Sequence, residues 1–307
     1  MLLGKKMLKK IRTYVRKIPA IRRFIGHTLP RTGLFDKVFR NWQVDDFWRE
    51  RIDIGLSCPD NRKIPRCEGA GIIQNGKQLM HNGIWVNLGS YYGPEKTILL
   101  SENKGVHEPQ EEYLFQLVLD FLENKGISPK VMIELGSFWA FYSLWFKQVF
   151  PLSKTIMIEP EQFNIESGQL NFALNRRVGD FVLAFVGDKH SAVGTKEVRT
   201  VTVDGIKEEF NLEHIDILHS DIQGFEGAML RGAENILSNQ LAEFIFISTH
   251  SNELHYDCVA TIKSYDYKII CEFDLDGTYS EDGLILACRK SSAFEFKDEV
   301  SLRTNGF

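Results

Sequence analysis

Two carboxylic acids in this chain stand where a nucleoside ligand would need them. Val131-Met132-Ile133-Glu134-Leu135-Gly136 reads as a buried strand closing on an acid and a glycine turn. Thr155-Ile156-Met157-Ile158-Glu159-Pro160 closes on a second acid about 20 residues later. In doubly wound sheets, ligands settle beyond the carboxyl ends of the strands, so both acids would face one crevice. Glu159 can accept hydrogen bonds from both hydroxyls of a ribose, or serve the dipole of a helix over 161–174. The first turn discriminates between ligands. A dinucleotide requires Gly-x-Gly-x-x-Gly so that its pyrophosphate meets bare backbone. Here Gly136 is followed by Ser137, Phe138 and Trp139, which would crowd a pyrophosphate. S-adenosylmethionine carries no phosphate, and its ammonium group would find a partner in Glu134. Gly136 and Ser137 form the turn expected to meet such a donor.

A third strand end supplies acceptor chemistry. The strand expected over Ile215–Ser220 runs into Asp221-Ile222-Gln223-Gly224-Phe225-Glu226. A hydroxyl acceptor must lose a proton, and Asp221, beside the donor pocket, is the first candidate to take it. Its other reading is an N-cap for a helix over 224–237. His250 follows the strand expected over Phe244–Ser248 and could be the base instead, with Asp221 orienting it. Asp221, Glu226 and His250 also offer oxygen and nitrogen ligands to a divalent metal, but no tight ligand spacing favours one. His107-Glu108-Pro109-Gln110-Glu111 opens a helix over 110–124, with Pro109 in the first turn and acids suited to the dipole. Trp139, Tyr142 and His255 read equally as pocket or core residues.

The elements that must position these groups follow from periodicity. After Glu108-Pro109, apolar strands alternate with amphipathic helices, with later strands at Phe181–Val186, Val198–Val203, Tyr267–Glu272 and Leu284–Cys288 and a further helix over 253–264. That alternation implies an α/β fold, a mostly parallel Rossmann-like sheet covered on both faces, over 106–292. Ahead of it, Asn75-Gly76 and Asn82-Gly83 are hairpin-turn signals between apolar stretches, so 51–105 reads as a small β-rich cap. Residues 1–50 read as a basic helical segment and 293–307 as a C-terminal tail. No Asp or Glu precedes Asp36, and Leu3, Met7, Ile11, Val15 and Ile18 line one face among lysines and arginines. Residues 1–25 therefore read as a basic amphipathic helix, either packed on the body or peripheral on an anionic membrane face.

The whole chain bounds its partners. Its 307 residues carry a net charge of −4, with 43% hydrophobic and 25% charged residues, which excludes a generic nucleic-acid binder. Cys58, Cys67, Cys258, Cys271 and Cys288 lack CxxC spacing, so neither a disulfide framework nor a zinc ribbon is expected, and a cytoplasmic protein fits better.

The ordered series Glu134-Leu135-Gly136, Met157-Ile158-Glu159-Pro160 with Asn164 and Asn171, and Ser220-Asp221-Ile222-Gln223-Gly224-x-Glu226 through Leu230-Arg231-Gly232-Ala233 resembles the FkbM family of methyltransferases over roughly 105–290. The resemblance implies a class I methyltransferase fold with S-adenosylmethionine as donor, Asn164 joining the cofactor pocket, and transfer to an oxygen, often on a sugar or a secondary metabolite; a sugar or glycoconjugate hydroxyl is the leading expectation. It also suggests that His107, Gln110 and Glu111, with Gln223 and Glu226, meet the substrate. Ala140 departs from the family's usual third glycine, and Ile222-Gln223-Gly224 from its Val-Glu-Gly. Two other readings stay open: an NAD-dependent nucleotide-sugar oxidoreductase, and a degenerate domain that binds without catalysis.

Overall fold

The computed structural model describes residues 28, 30–126, 130–190 and 198–304; the helix expected over 1–25, and with it the membrane reading, lies outside them. Helices α1 (Asp36–Arg40) and α2 (Asp46–Ser57) lead into an antiparallel sheet of β1 (Ile73–Gln74), β2 (Lys77–Leu79) and β3 (Trp85–Asn87), followed by α3 (Pro94–Glu102). Asn75 and Gly76 both adopt positive φ and make the tight β1–β2 turn. Residues 51–105 are nevertheless less β-rich than expected. Pro94 starts a helix at its first turn, and α2 reaches into this stretch.

The main unit then runs α4 (Pro109–Asn124), β4 (Val131–Leu135), α5 (Phe141–Val149), β5 (Lys154–Glu159), α6 (Gln162–Leu174), β6 (Asp180–Val186) and β7 (Arg199–Val201). It continues through α7 (Val203–Glu209), β8 (Ile215–Ser220), α8 (Glu226–Arg231), α9 (Glu234–Ser238), β9 (Ala242–Thr249), α10 (Asn252–Ser264), β10 (Lys268–Phe273) and β11 (Gly283–Cys288). The eight strands stand in the order β10-β11-β9-β8-β4-β5-β6-β7. Only β11 is antiparallel to its neighbours. The chain enters mid-sheet at β4, winds outward to β7, and returns to β8 on the other side of β4. A crevice must open between those two strand ends, because their connections leave in opposite directions.

Side-chain parity assigns the faces. Met132, Met157, Ile217, Phe244 and Phe246 pack with α4, α5 and residues of the cap. Ile133, Ile156, Leu218 and Ile245 pack on the other face with α7 to α10. Alternation places Glu134, Glu159, His219 and Ser248 on the first face, toward the cap. The single helix expected over 224–237 is two, broken at Gly232, where a Cβ would stand 2.3 Å from the Gly187 carbonyl oxygen.

The cap is fixed to the main unit by two asparagines one helical turn apart, Asn171 on α6 and Asn175 at its C-cap. Asn171 accepts from the Asn87 N–H at 2.8 Å and donates to Trp139 O at 3.1 Å. Asn175 accepts from the Trp85 N–H at 3.1 Å and donates to Trp85 O at 2.7 Å. These side chains satisfy the outer edge of β3 as another strand would. All five cysteines are free thiols, and no helix among the described residues is long and apolar enough to cross a membrane.

Candidate functional site

A cavity of about 1390 Å³ opens at the carboxyl ends of β4 and β8. One wall carries Glu134, Gly136, Ser137, Phe138, Asn164, His219, Asp221 and Gln223. The opposite wall comes from the N-terminal third and the β10–β11 loop, with Trp48, Tyr91, Tyr92, Lys96, Tyr279 and Asp282 among its residues. His107, Trp139 and Tyr142 line it too while remaining buried, so the choice between pocket and core was no choice for the two aromatics.

The glycine turn explains its own sequence. Gly136 has φ +74, and a Cβ on it would stand 1.7 Å from the Asp221 carbonyl oxygen. Turn and β8 end thus touch through bare backbone, further tied by the Asp221 N–H to Leu135 O at 2.9 Å. Three backbone donors of this turn are spent: Gly136 and Ser137 donate to Ile158 O at 2.9 and 3.1 Å, and Phe138 to Glu159 Oε2 at 3.0 Å. Ala140 holds the left-handed conformation (φ 58, ψ 40) at the start of α5, the backbone that a glycine would adopt most easily.

Glu159 spends its carboxylate on this scaffold, accepting from Phe138, from the Glu161 N–H at 2.9 Å and from Asn164 Nδ2 at 3.1 Å. Burial pushes its carboxyl upward despite those donors. Glu134 accepts from the Ser143 N–H at 3.1 Å. Burial raises its carboxyl to about 7, with His219 and Ser143 pulling the other way.

His219, directly opposite Glu134 in the β4–β8 register, was missed by sequence reasoning. Its Nε2 lies 2.6 Å from Glu111 Oε1, and Glu111 Oε2 accepts from Ser248 Oγ at 3.2 Å. Burial disfavours the imidazolium, but the Glu111 contact outweighs it and holds the histidine upward. Its Nδ1 is buried without a hydrogen-bond partner in a side chain that lines the cavity. The available signal was a histidine inside a wholly buried strand.

Three expected substrate contacts stand behind the wall rather than on it. Glu111 supports His219. Gln110 is consumed by the β10–β11 loop and the tail, donating to Gly277 O and Ser301 O and accepting from the Tyr279 N–H at 2.7 Å. Glu226 is fully buried beneath His250, with Oε1 2.7 Å from Nδ1. Each is buried and bonded to a protein partner that it positions, although Glu226 Oε2 is left without a hydrogen-bond partner. His107 does reach the cavity. It is clasped between Glu112 at 2.6 Å and Glu108 at 3.2 Å, which outweigh burial and hold it up at about 10. His255 lies away from the cavity lining, bonded to Thr249 and Glu272.

Asp221 and His250 do meet. His250 Nε2 lies 3.1 Å from Asp221 Oδ1, 3.4 Å from Asp282 Oδ1 and 2.7 Å from Gln223 Nε2. Burial lowers the imidazole, but Asp221 and Glu226 overcome it and hold it at about 10. Burial, then Asp221, lift Asp282 to about 8. Asp282 gave no local signal in the sequence; the antiparallel register Thr249↔Gly283 delivers it beside His250.

Comparison with known proteins bears on this arrangement. Residues 120–269 match the model of the methyltransferase FkbM domain. No curated protein matches the chain significantly. Among solved structures, the METTL16 MTase domain shares 14% identity over 79% of this chain and 92% of that one, with a TM-score of 0.45. A precorrin-6y C5,15-methyltransferase from Geobacter metallireducens shares 13% identity over 58% of this chain and 89% of that one, at 0.40. A Pyrococcus abyssi tRNA (uracil-54, C5)-methyltransferase solved with S-adenosyl-L-homocysteine shares 11% over 57% of this chain and 38% of that one, at 0.35. These are distant likenesses of fold, and no residue assignment rests on them.

Proposed function

Because residues 120–269 match the methyltransferase FkbM domain, we propose that this protein transfers the methyl group of S-adenosylmethionine to a hydroxyl oxygen of a sugar or glycoconjugate. The observation that carries the donor half is the spent backbone of the glycine turn. With the N–H groups of Gly136, Ser137 and Phe138 already engaged, a pyrophosphate would be denied three of the donors that a dinucleotide-binding turn offers it. Acidic strand ends suit a donor bearing ammonium and sulfonium charge. Glu134 takes the ammonium, and the unpartnered Nδ1 of His219 donates to the adjacent carboxylate. Asn164 and Glu159 frame the ribose.

On the far wall, Trp48 and Tyr92 offer ring faces, while Lys96, Ser280 and Asp282 offer polar groups. That mixture fits a sugar, apolar on its C–H faces and polar at its rim. Methyl transfer is an in-line displacement at an activated carbon, so most of the work is holding oxygen and methyl about 3 Å apart and collinear. The hydroxyl proton passes to Asp221, which His250 and Gln223 hold at the mouth of the cavity.

The test is transfer from methyl-labelled S-adenosylmethionine to a sugar panel. Asp221→Asn should lower kcat by about 10²–10⁴-fold. Label appearing on nitrogen or carbon, or reduction of NAD instead, would overturn the reading.

Donor binding should depend on pH. Glu134 must be ionised to pair with the ammonium, and its raised carboxyl regains a proton as pH falls through about 7. Calorimetry should show S-adenosylhomocysteine affinity level above pH 8 and falling by up to about tenfold per unit below 7. Glu134→Gln should bind weakly with a flat profile.

A further inference from the structure

We propose that Asp221, His250 and Asp282 form a binding site for one hard divalent cation, of the Mn²⁺ or Mg²⁺ type, opening into the acceptor side of the cavity. The inference deepens the hydroxyl-transfer reading above, since such a cation would hold the acceptor's oxygens.

Three consecutive neighbours in the sheet supply the ligands. Asp221 leaves β8, His250 leaves β9, and Asp282 enters β11, which the register places across from His250. One ligand atom from each lies within 4.8 Å of the other two. Metal–ligand bonds of 2.0–2.6 Å at right angles put neighbouring ligand atoms roughly 2.8–3.7 Å apart. The Nε2 separations of 3.1 Å to Asp221 and 3.4 Å to Asp282 fall within that interval.

The surroundings are rich in negative charge. Asp221, Asp282 and Glu226 converge on a single imidazole, so even the imidazolium leaves carboxylates in excess. Hydrogen bonding at Nε2 does not balance either. A proton there satisfies the aspartates but opposes the Gln223 amide nitrogen at 2.7 Å, and a lone pair does the reverse. Turning the amide over sets its oxygen against Asp221 Oδ1, 3.2 Å from the present amide nitrogen. A cation replacing the proton satisfies Nε2 and both aspartates together and lets Gln223 present its oxygen. Glu226, fully buried on Nδ1, holds the ring with Nε2 outward, as carboxylates behind metal-bound histidines do. With two carboxylates and one imidazole, and no thiolate, the donor set suits a hard ion. Sites left open toward the cavity would accept two neighbouring hydroxyls of a sugar. Sequence reasoning had considered Glu226 as a ligand; the structure gives that place to Asp282.

The experiment is titration of the full chain, stripped with EDTA, with MnCl₂, reading free Mn²⁺ by electron paramagnetic resonance. S-Adenosylhomocysteine binding is measured on the same samples in EDTA. One Mn²⁺ per chain is expected, displaced by excess Mg²⁺. Asp282→Asn and His250→Gln should each weaken Mn²⁺ binding by at least about tenfold, and Glu226→Gln by about 10–100-fold, with unchanged circular dichroism. Failure of the wild type to bind Mn²⁺ at millimolar concentration, or undiminished affinity in Asp282→Asn, would overturn the proposal. The donor reading fails separately, through lost S-adenosylhomocysteine binding in EDTA.

Discussion

Gly136→Ala should cost S-adenosylhomocysteine binding about 100-fold or more, a loss near 3 kcal/mol. Two penalties combine. The left-handed backbone disfavours any Cβ by roughly 1–2 kcal/mol, and a methyl 1.7 Å from the Asp221 carbonyl oxygen cannot be accommodated without moving the chain. Overpacking of this kind costs about 1–3 kcal/mol, and here the strain falls on the junction that aligns Glu134 with Asp221. Gly224→Ala separates the two causes. Gly224 also has positive φ (+94), but nothing lies within 4 Å of its Cβ position. Its variant should lose only the conformational part. Equal losses of affinity in the two would show that the close approach is unimportant.

Glu112→Ala should destabilise the fold by about 3–5 kcal/mol, the range for orphaning a buried charge. Glu112 is fully buried, and its Oε1 accepts from the backbone N–H groups of His107 and Glu108 at 2.7 and 2.9 Å. Its carboxylate also meets His107 at 2.6 Å and His81 at 2.8 Å. Burial opposes its ionisation, yet the two histidines outweigh that and hold the carboxyl far below the usual range. A depressed acid contributes its stability above pH 4.5 and loses it as pH falls, so the whole effect is present at neutral pH. Thermal unfolding at pH 7 should fall by on the order of 10 °C. Glu112→Gln, which keeps an acceptor for the two N–H groups, should recover part of the loss. Equal stability of wild type and Glu112→Ala would mean that the cluster is not a keystone of the cap interface.

The sheet was legible because its strands are apolar on both faces and punctuated by acids and glycines. Those signals are local, and each strand end named its own residue: Glu134, Glu159, Asp221, His250. What escaped is what depends on contact across the chain. His219 owes its character to Glu111, 108 residues away, and no spacing rule links them. Asp282 gains its role from antiparallel pairing of β11 with β9, which a periodic pattern cannot register. Gln110, Glu111 and Glu226 looked like substrate contacts because the family resemblance places polar residues of their segments near the ligand. They are in fact buried, and the hydrogen bonds they make are to the protein. The cap misled in another way: its turn signals were correct, but turns alone do not say whether strand or helix follows.

The two walls of the cavity have a consequence for how such a chain can diversify. The stretch matching the FkbM model, 120–269, contains Glu134, Gly136, Glu159, Asn164 and Asp221, whereas Trp48, Tyr91, Tyr92, Lys96, Tyr279 and Asp282 all fall outside it. A lineage could therefore trade one clientele for another by exchanging the front of the chain and a single hairpin, with the methyl-bearing half inherited intact. If the far wall meets the acceptor as proposed, grafting 274–282 from one relative onto another becomes an economical way to move acceptor preference.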